Sequence, residues 1–561
     1  MSASVNVNPE WALTSESFPI DFGAVRALVV EDYPSMCNAL RQTLYNFGIT
    51  KVQLAASAAE AIYHVKARPF DFILCDFNLG DSRDGQQLLE ELRHGNLISL
   101  NTVFMMVTAE SFYEKVAATA ELAPDDYMIK PFSPEVLRNR LENILLRKRA
   151  FRDVYRHFTE RNLEASVDAC DELITGKPKY LVDALRFKGE LLIVMGQPEA
   201  AEVLYKQVIA MRAIPWARLG LARALHMQQK DDAAEAVLRE ALEQAPEMVA
   251  AYDLLSEVCL SKKDAAAAQK ALERGVSISG RTVRRQQKLG EIAHANGDLD
   301  VARSAYSQAL DKGRHSIFVT PGDFGNLCRV QVEQGDLGGA ADTLKKGKNT
   351  LMDSPEGQLV MAVAQGVIHT KSGNMKGAEK ALDEAAALCA AGARGDDRLM
   401  LDLAGTCMAN GRNDEADGIV ADVVRNAHDS DALLSRARRI YEDAGLGDSG
   451  TAVLDLATTG VRKLNNEGVM LAQRGDLRAA VDKLLAACAE APRNPRILMN
   501  AVWVIFRYID QDGMDERLFE AARQFLDEAE RLAPGHVRIA GFRLTQRALE
   551  IRFGKQRRPA R

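Results

Sequence analysis

Aromatic residues are scarce, 6% of the chain with only 3 Trp, which disfavours an aromatic-rich β-sandwich and points to helices packed through Ala and Leu. No window reaches the ~18 uninterrupted apolar residues of a membrane-spanning helix. The start, MSASVNVNPEWALTSESFPIDFG, lacks the basic residues and apolar core of a signal peptide. No membrane insertion and a cytoplasmic location are therefore expected. The eight cysteines (Cys37, Cys75, Cys170, Cys259, Cys328, Cys389, Cys407, Cys488) form no C-x-x-C pair, so they read as reduced, buried thiols rather than disulfides or zinc ligands. His226, His294, His315 and His369 are likewise dispersed, without metal-ligand spacing. A surplus of positive charge is missing too, and a net charge of -7 gives no general attraction to a phosphate backbone. Also absent are a P-loop, a G-x-S-x-G elbow, GGDEF-like or HD-like catalytic stretches, and a terminal helix-turn-helix with a basic recognition helix. The protein is therefore expected not to be an enzyme in its output and not to bind DNA.

At 561 residues the chain exceeds what one core serves, roughly 250 to 300 residues. From Val25 to about Lys148, short apolar runs alternate with amphipathic stretches, the mark of a parallel sheet covered by helices. The expected strands are VRALVVED (25–32), KVQLAAS (51–57), FDFILCDF (70–77), TVFMMVTA (102–109) and DDYMIKP (125–131). The second and third read as runs buried on both faces. PSMCNALRQTLYNFG and DGQQLLEELRHG read as helices, with Pro34 in a first turn and Gly48 and Gly95 at the ends.

Ligand groups in an open parallel sheet gather beyond the carboxyl ends of the strands, where the strand order switches. The first strand ends in Glu31-Asp32, the third in Asp76, the fourth in Thr108 and the fifth in Lys130-Pro131. Three carboxylates, a hydroxyl and an ammonium should therefore converge. Clustered carboxylates repel unless a cation lies between them, and Mg²⁺ takes such oxygen ligands while keeping waters. The set suits phosphoryl transfer, with Asp76 as nucleophile and Lys130 and Thr108 receiving the new oxygens. Taken singly, Glu31-Asp32 would read as a solvated loop start or helix cap, and Tyr127 as a half-buried sheet tyrosine. Their joint placement on different strand ends carries the reading.

At these residues the sequence resembles the receiver domains of two-component response regulators, a CheY-like, flavodoxin-like α/β fold with a five-stranded parallel sheet. Asp32 precedes Asp76 by 44 residues, Thr108 precedes Lys130 by 22, and Tyr127 lies three before the lysine. The resemblance implies a Mg²⁺ ion held by Glu31, Asp32, Asp76 and the backbone carbonyl of Asn78. It implies phosphorylation of Asp76 by a sensor histidine kinase or phosphotransfer protein. Thr108 would then move toward the phosphoryl group while Tyr127 rotates inward, and Asn78 and Glu110 would tune dephosphorylation. One departure is the loop FNLGDSRDG after Asp76, a residue longer than usual and with Gly80 where a proline commonly stands, which bears on partner recognition at residues 81–85.

Past Lys148 the strand pattern ends and a repeat begins: a Gly, five residues later an Ala, nine residues later a large apolar side chain. It recurs as Gly196/Ala201/Tyr205, Gly297/Ala302/Tyr306, Gly335/Ala340/Leu344, Gly373/Ala378/Leu382, Gly411/Ala416/Val420 and Gly475/Ala480/Leu484. Gln229/Ala234/Leu238 and Lys263/Ala268/Leu272 keep the Ala and Leu without the Gly. Adjacent copies lie 33 to 38 residues apart. The Gly permits a tight turn between antiparallel helices, and the Ala lets the second helix approach the first. With Leu289-Gly290, Gln365-Gly366 and Glu467-Gly468 upstream and Pro246 and Pro492 closing units, the pattern resembles the tetratricopeptide repeat. The resemblance implies an all-α solenoid that holds a peptide or helix of another protein.

The expected organisation is a flexible segment over 1–23, a receiver over 24–148, tetratricopeptide-like repeats over 149–535, with degenerate units near 430–460 and 500–535, and a helix with a basic tail over 536–561. No Gly or Pro interrupts LRNRLENILLRKRAFRDVYRHF from about Pro134 onward, so a continuous helix should leave the receiver. The function expected is phosphorylation-controlled binding of a protein by the repeats. A phosphate sink or an inhibitor of a sensor kinase is the alternative. Nucleic-acid binding through RTVRRQQK (281–288) ranks below both, because an acidic chain makes that stretch a solvated helix face.

Overall fold

Runs of Val, Ile, Leu and Phe form the five expected strands: β1 (Arg26–Val30), β2 (Lys51–Ala55), β3 (Phe72–Asp76), β4 (Val103–Thr108) and β5 (Asp126–Ile129). They are seen in a computed structural model that describes residues 20–80, 84–108, 124–211, 214–279, 282–314, 316–533 and 536–554. All pairings are parallel, in the order β2-β1-β3-β4-β5. The order reverses between β1 and β3, which makes their carboxyl ends the switch point. On one face α2 (Ala58–Ala67) and α3 (Gly85–His94) bury Ile62, Val65, Leu88 and Leu92 against Ile73 and Phe104. On the other, α1 (Pro34–Asn46) and α4 (Pro134–Ala150) bury Leu40, Leu44, Leu137 and Leu141 against Val29 and Leu74. β3 is buried on both faces as expected, but β2 is an edge strand in which only Ala55 is buried.

The helix expected to run unbroken from Pro134 ends at Ala150 and restarts at Arg152 as α5 (Arg152–Thr159). Phe151 sits at the break with φ -87° and ψ 4°. Its buried ring lies 5.7 Å from Tyr155 and 6.3 Å from Tyr180. Packing, not a helix-breaking residue, interrupts the helix, so no Gly or Pro marks the place.

The repeat marker is a turn. All six marker glycines lie at positive φ, from 68° at Gly196 to 89° at Gly475, and Gln229 (61°) and Lys263 (62°) hold the same left-handed turn without glycine. The alanine of each of these eight copies is fully buried. Two further copies lack the composition but keep the spacing. Arg161 (φ 56°), Ser166 and Cys170 join α5 to α6 (Leu163–Gly176), and Gly445 (φ 70°), Gly450 and Leu454 sit inside the stretch read as degenerate. There the helix Gly447–Gln473, 27 residues long, serves two hairpins, packing on Asp431–Asp443 and on Leu477–Glu490. The chain divides into two compact units, 1–184 and 185–561. The hairpin of α5 and α6 therefore lies in the unit that contains the sheet. Seven cysteines are buried and Cys389 is half-buried, all free, and no helix of the described residues is long and apolar enough to cross a membrane.

Candidate functional site

Glu31 follows β1, Asp76 ends β3, Thr108 ends β4 and Lys130 follows β5, so parallel register alone brings them to one edge. Lys130 Nζ lies 2.9 Å from Glu31 Oε2 and 3.1 Å from Asp76 Oδ1. Glu31, Asp32 and Asp76 each offer an oxygen within 4.8 Å of the others. Thr108 is buried, and its carbonyl accepts the Lys130 N–H at 2.8 Å.

Burial pushes the Glu31 carboxyl above its ordinary value against the pull of the Lys130 hydrogen bond. Burial raises Asp76 too, again opposed by Lys130. For Lys130 burial works against the charge, yet the Glu31 hydrogen bond and the Asp76 charge hold its ammonium above the ordinary value. One ammonium faces three carboxylates, and Asp32 Oδ1 is buried without a hydrogen-bond partner. Oxygen donors, surplus negative charge and an orphaned carboxylate oxygen are what a hard divalent cation takes up.

The loop after Asp76 returns directly onto the acceptor. A Cβ on Gly85 would lie 2.5 Å from the Asp76 carbonyl oxygen, so this position admits only glycine. Gly80 turns at φ 75°, with its Cβ direction 3.5 Å from Asp32 Oδ2. Asn78 is exposed on this loop. Residues 81–83 and Glu110 lie outside the described residues.

Tyr127 is 8% exposed and packs in the cluster of Leu88, Leu89, Phe104 and Met106, with its hydroxyl 3.5 Å from Gln86 Oε1. Burial, with the nearby Asp84 charge, raises its phenol above the ordinary value. Sequence reasoning missed three supports. The Cys37 thiol donates to the Glu31 carbonyl at 3.0 Å, Arg140 donates to the Tyr127 carbonyl at 2.8 Å, and Gln86 faces the Tyr127 hydroxyl. None carries a sequence signature: Arg140 and Gln86 reach Tyr127 only through the folded chain, and the Cys37 thiol meets a main-chain carbonyl rather than a partner side chain.

Residues 27–142 match the response regulator receiver domain. This part of the chain is a receiver. Residues 192–257 match a tetratricopeptide repeat family. The chemotaxis protein CheY-3 of Vibrio cholerae is 28% identical over 123 residues, 22% of this chain and 93% of that protein. The chemotaxis protein CheY of Pseudomonas aeruginosa is also 28% identical over 123 residues, 22% of this chain and 98% of that protein. A solved structure of MamA, 23% identical, aligns with 29% of this chain and 94% of its own at a TM-score of 0.26. A receiver followed by tetratricopeptide repeats makes this a phosphorylation-controlled signalling protein with a protein-interaction array, which fits a non-enzymatic regulator.

Proposed function

We propose that Asp76 accepts a phosphoryl group from a sensor histidine kinase or phosphotransfer protein, and that this changes what the helical repeats bind. The observation that carries the reading is the bridge from Lys130 Nζ to Glu31 and Asp76 at the switch point of the sheet. A carboxylate oxygen of Asp76 attacks phosphorus, an O–P bond forms, and the N–P bond of the donor breaks with its electron pair returning to the imidazole. Lys130 stabilises the charge that collects on the phosphoryl oxygens, and the Thr108 hydroxyl approaches from β4. Glu31, Asp32, Asp76 and the Asn78 carbonyl would hold Mg²⁺, which neutralises part of that charge when bound. Asn78 and Glu110 orient the water that later hydrolyses the acyl phosphate. Thr108 and Tyr127 form the switch pair.

In this reading the receiver occupies 24–148 and the repeats 149–535, the hairpin of α5 and α6 being the first repeat. Incubation of the full chain with radiolabelled acetyl phosphate and Mg²⁺ tests the chemistry. The label is expected to be acid-stable, alkali-labile and absent from Asp76→Asn. Equal labelling of wild type and Asp76→Asn sinks the proposal.

A further inference from the structure

Near the end of the array the helices Gly447–Gln473, Pro495–Asp512 and Val537–Gly554 are linked by a chain of amides. Asn465 Oδ1 accepts from Asn500 at 3.0 Å, and Asn500 Oδ1 accepts from Arg538 Nη1 at 3.3 Å. Residues three or four apart share a helix face, so Arg462 stands with Asn465 and the exposed Asn466, and Arg496, Asn500, Trp503 and Arg507 form one stripe. Arg507 lies over the Trp503 ring at 5.3 Å and Arg538 over the Phe542 ring at 5.2 Å, both rings being half-buried. These arginines lack counter-charges. Arg303 and Arg543 of the same array are held by Asp336 and Asp527, whereas among the described residues Arg462, Arg496, Arg507 and Arg538 form no ion pair. The flanking carboxylates are engaged elsewhere, Glu467 by Lys483 at 2.8 Å and Asp510 by Arg552. Burial, and after it the charge of Arg496, pushes the Arg538 guanidinium below its ordinary value, as befits cations gathered with no anion between them. A chain of net charge -7 thus carries a local cationic patch, which its sequence scatters from residue 462 to residue 538.

Along the stripe Arg496 and Arg507 stand about 16 Å apart, at roughly 1.5 Å per residue. Cations spread over that distance suit a polyanion rather than a single carboxylate, and aromatic faces set among guanidiniums suit flat bases. Asparagine amides donate and accept, which complements a 2′-hydroxyl. We infer that this face binds single-stranded RNA, its arginines on the phosphates and Trp503 and Phe542 stacking on bases. The face is distinct from the basic stretch RTVRRQQK, where Asp253 already holds Arg285 through two bonds of 2.7 Å.

The test is fluorescence anisotropy of the full chain with a labelled oligouridylate of about 12 nucleotides, a length within the range of single-strand sites, titrated at several salt concentrations. Binding is expected at low salt and should weaken as salt rises, by about 0.7 in the log–log slope for each phosphate contact. Arg496 and Arg507 are exposed, so the double variant Arg496→Gln/Arg507→Gln should keep the wild-type thermal melt. It should bind at least tenfold more weakly and with a shallower slope. Trp503→Leu should weaken binding about fivefold or more through lost stacking, and Arg284→Gln, on the other basic stretch, should change nothing. Absence of binding at low salt, or equal affinity in the double arginine variant, overturns the proposal. Oligothymidylate or polyglutamate bound as tightly as the RNA would overturn it as well, by showing a face that takes any acidic polymer.

Discussion

Lys148 Nζ lies 2.7 Å from Asp125 Oδ1 and 2.6 Å from the Leu100 carbonyl oxygen, with the lysine 7% exposed. The pair clamps the receiver at the edge opposite the acidic site. Asp125 Oδ2 accepts the Phe104 N–H at 2.9 Å, and Arg93 and Arg147 approach the carboxylate at 3.7 and 3.8 Å. Tyr155, on α5, puts its ring 5.4 Å from Lys148 Nζ. β5 thus runs from this network at Asp125 to Lys130, which meets Glu31 and Asp76. The strand joins the acceptor to the neighbourhood of the α5–α6 hairpin inside one compact unit.

Removing one partner of a buried pair costs about 3–5 kcal/mol, because the other charge stays buried. Lys148→Met should fall at the low end, since Arg93 and Arg147 remain near Asp125. Asp125→Ala should be worse, leaving Lys148 and Arg93 without their carboxylate. Hydrogen exchange on the full chain should show faster exchange in β4, β5 and α5 for both variants, in that order of severity. Unchanged protection in α5 would remove the clamp from the route between acceptor and repeats.

The acidic site makes stability depend on pH and on Mg²⁺. Glu31 and Asp76 titrate above their ordinary values of 4.5 and 3.8 in the fold because burial disfavours their charge. Between the ordinary and the raised values the folded state binds more protons than the unfolded one, so stability falls as pH rises through that window. Above that window a bound cation offsets the repulsion among the carboxylates. Mg²⁺ at ten times its Kd should stabilise the sheet by about 1.4 kcal/mol, seen as slower exchange in β1 and β3. The gain should shrink near pH 4.5, where protons compete, and Asp32→Ala should weaken Mg²⁺ at least tenfold. A Mg²⁺ effect equal in wild type and Asp32→Ala would place the ion elsewhere.

The strands and the converging site were legible because period and position carry them: β3 reads as an apolar run ending in Asp76, and parallel register does the rest. β2 was over-read, since an apolar run does not reveal which strand lies at the edge. The break at Phe151 was invisible because an aromatic that packs sideways resembles any other helical residue. The copies at Arg161 and Gly445 escaped because Arg, Ser and Cys, or a second Gly, can fill the roles of Gly, Ala and Leu when backbone and volume allow. Gln86 and Arg140 became visible only once the chain had folded back on itself.

The left-handed turns predict opposite effects of the same glycine. Gln229 and Lys263 hold φ 61° and 62°, a conformation that costs a non-glycine residue roughly 1 kcal/mol. Gln229→Gly and Lys263→Gly should each stabilise the repeats by about 0.5–1 kcal/mol, the gain being reduced by glycine's larger unfolded-state entropy. Gly373 turns at φ 74° with open space around its Cβ direction, so Gly373→Ala is pure backbone strain and should destabilise by about 1–2 kcal/mol. Urea midpoints of the full chain decide this. A loss on Gln229→Gly would mean that the side chain's own contacts outweigh the strain.

Tyr306 separates close approach from hydrogen bonding inside one hairpin. A Cβ at Gly290 would lie 2.7 Å from Tyr306 Cε1, and the ring, 1% exposed, has nowhere to retreat. Gly290→Ala should therefore cost about 1–3 kcal/mol by overpacking. The tyrosine hydroxyl is buried with no hydrogen-bond partner. Tyr306→Phe should consequently be neutral or stabilising by up to about 1 kcal/mol, since it removes an unsatisfied polar group and leaves the packed ring in place. In the double variant Gly290→Ala/Tyr306→Leu, the smaller side chain should restore part of the loss, a coupling visible in a double-mutant cycle of urea midpoints. Additive losses would show that Gly290 is needed for its backbone and not for the space it leaves to the ring.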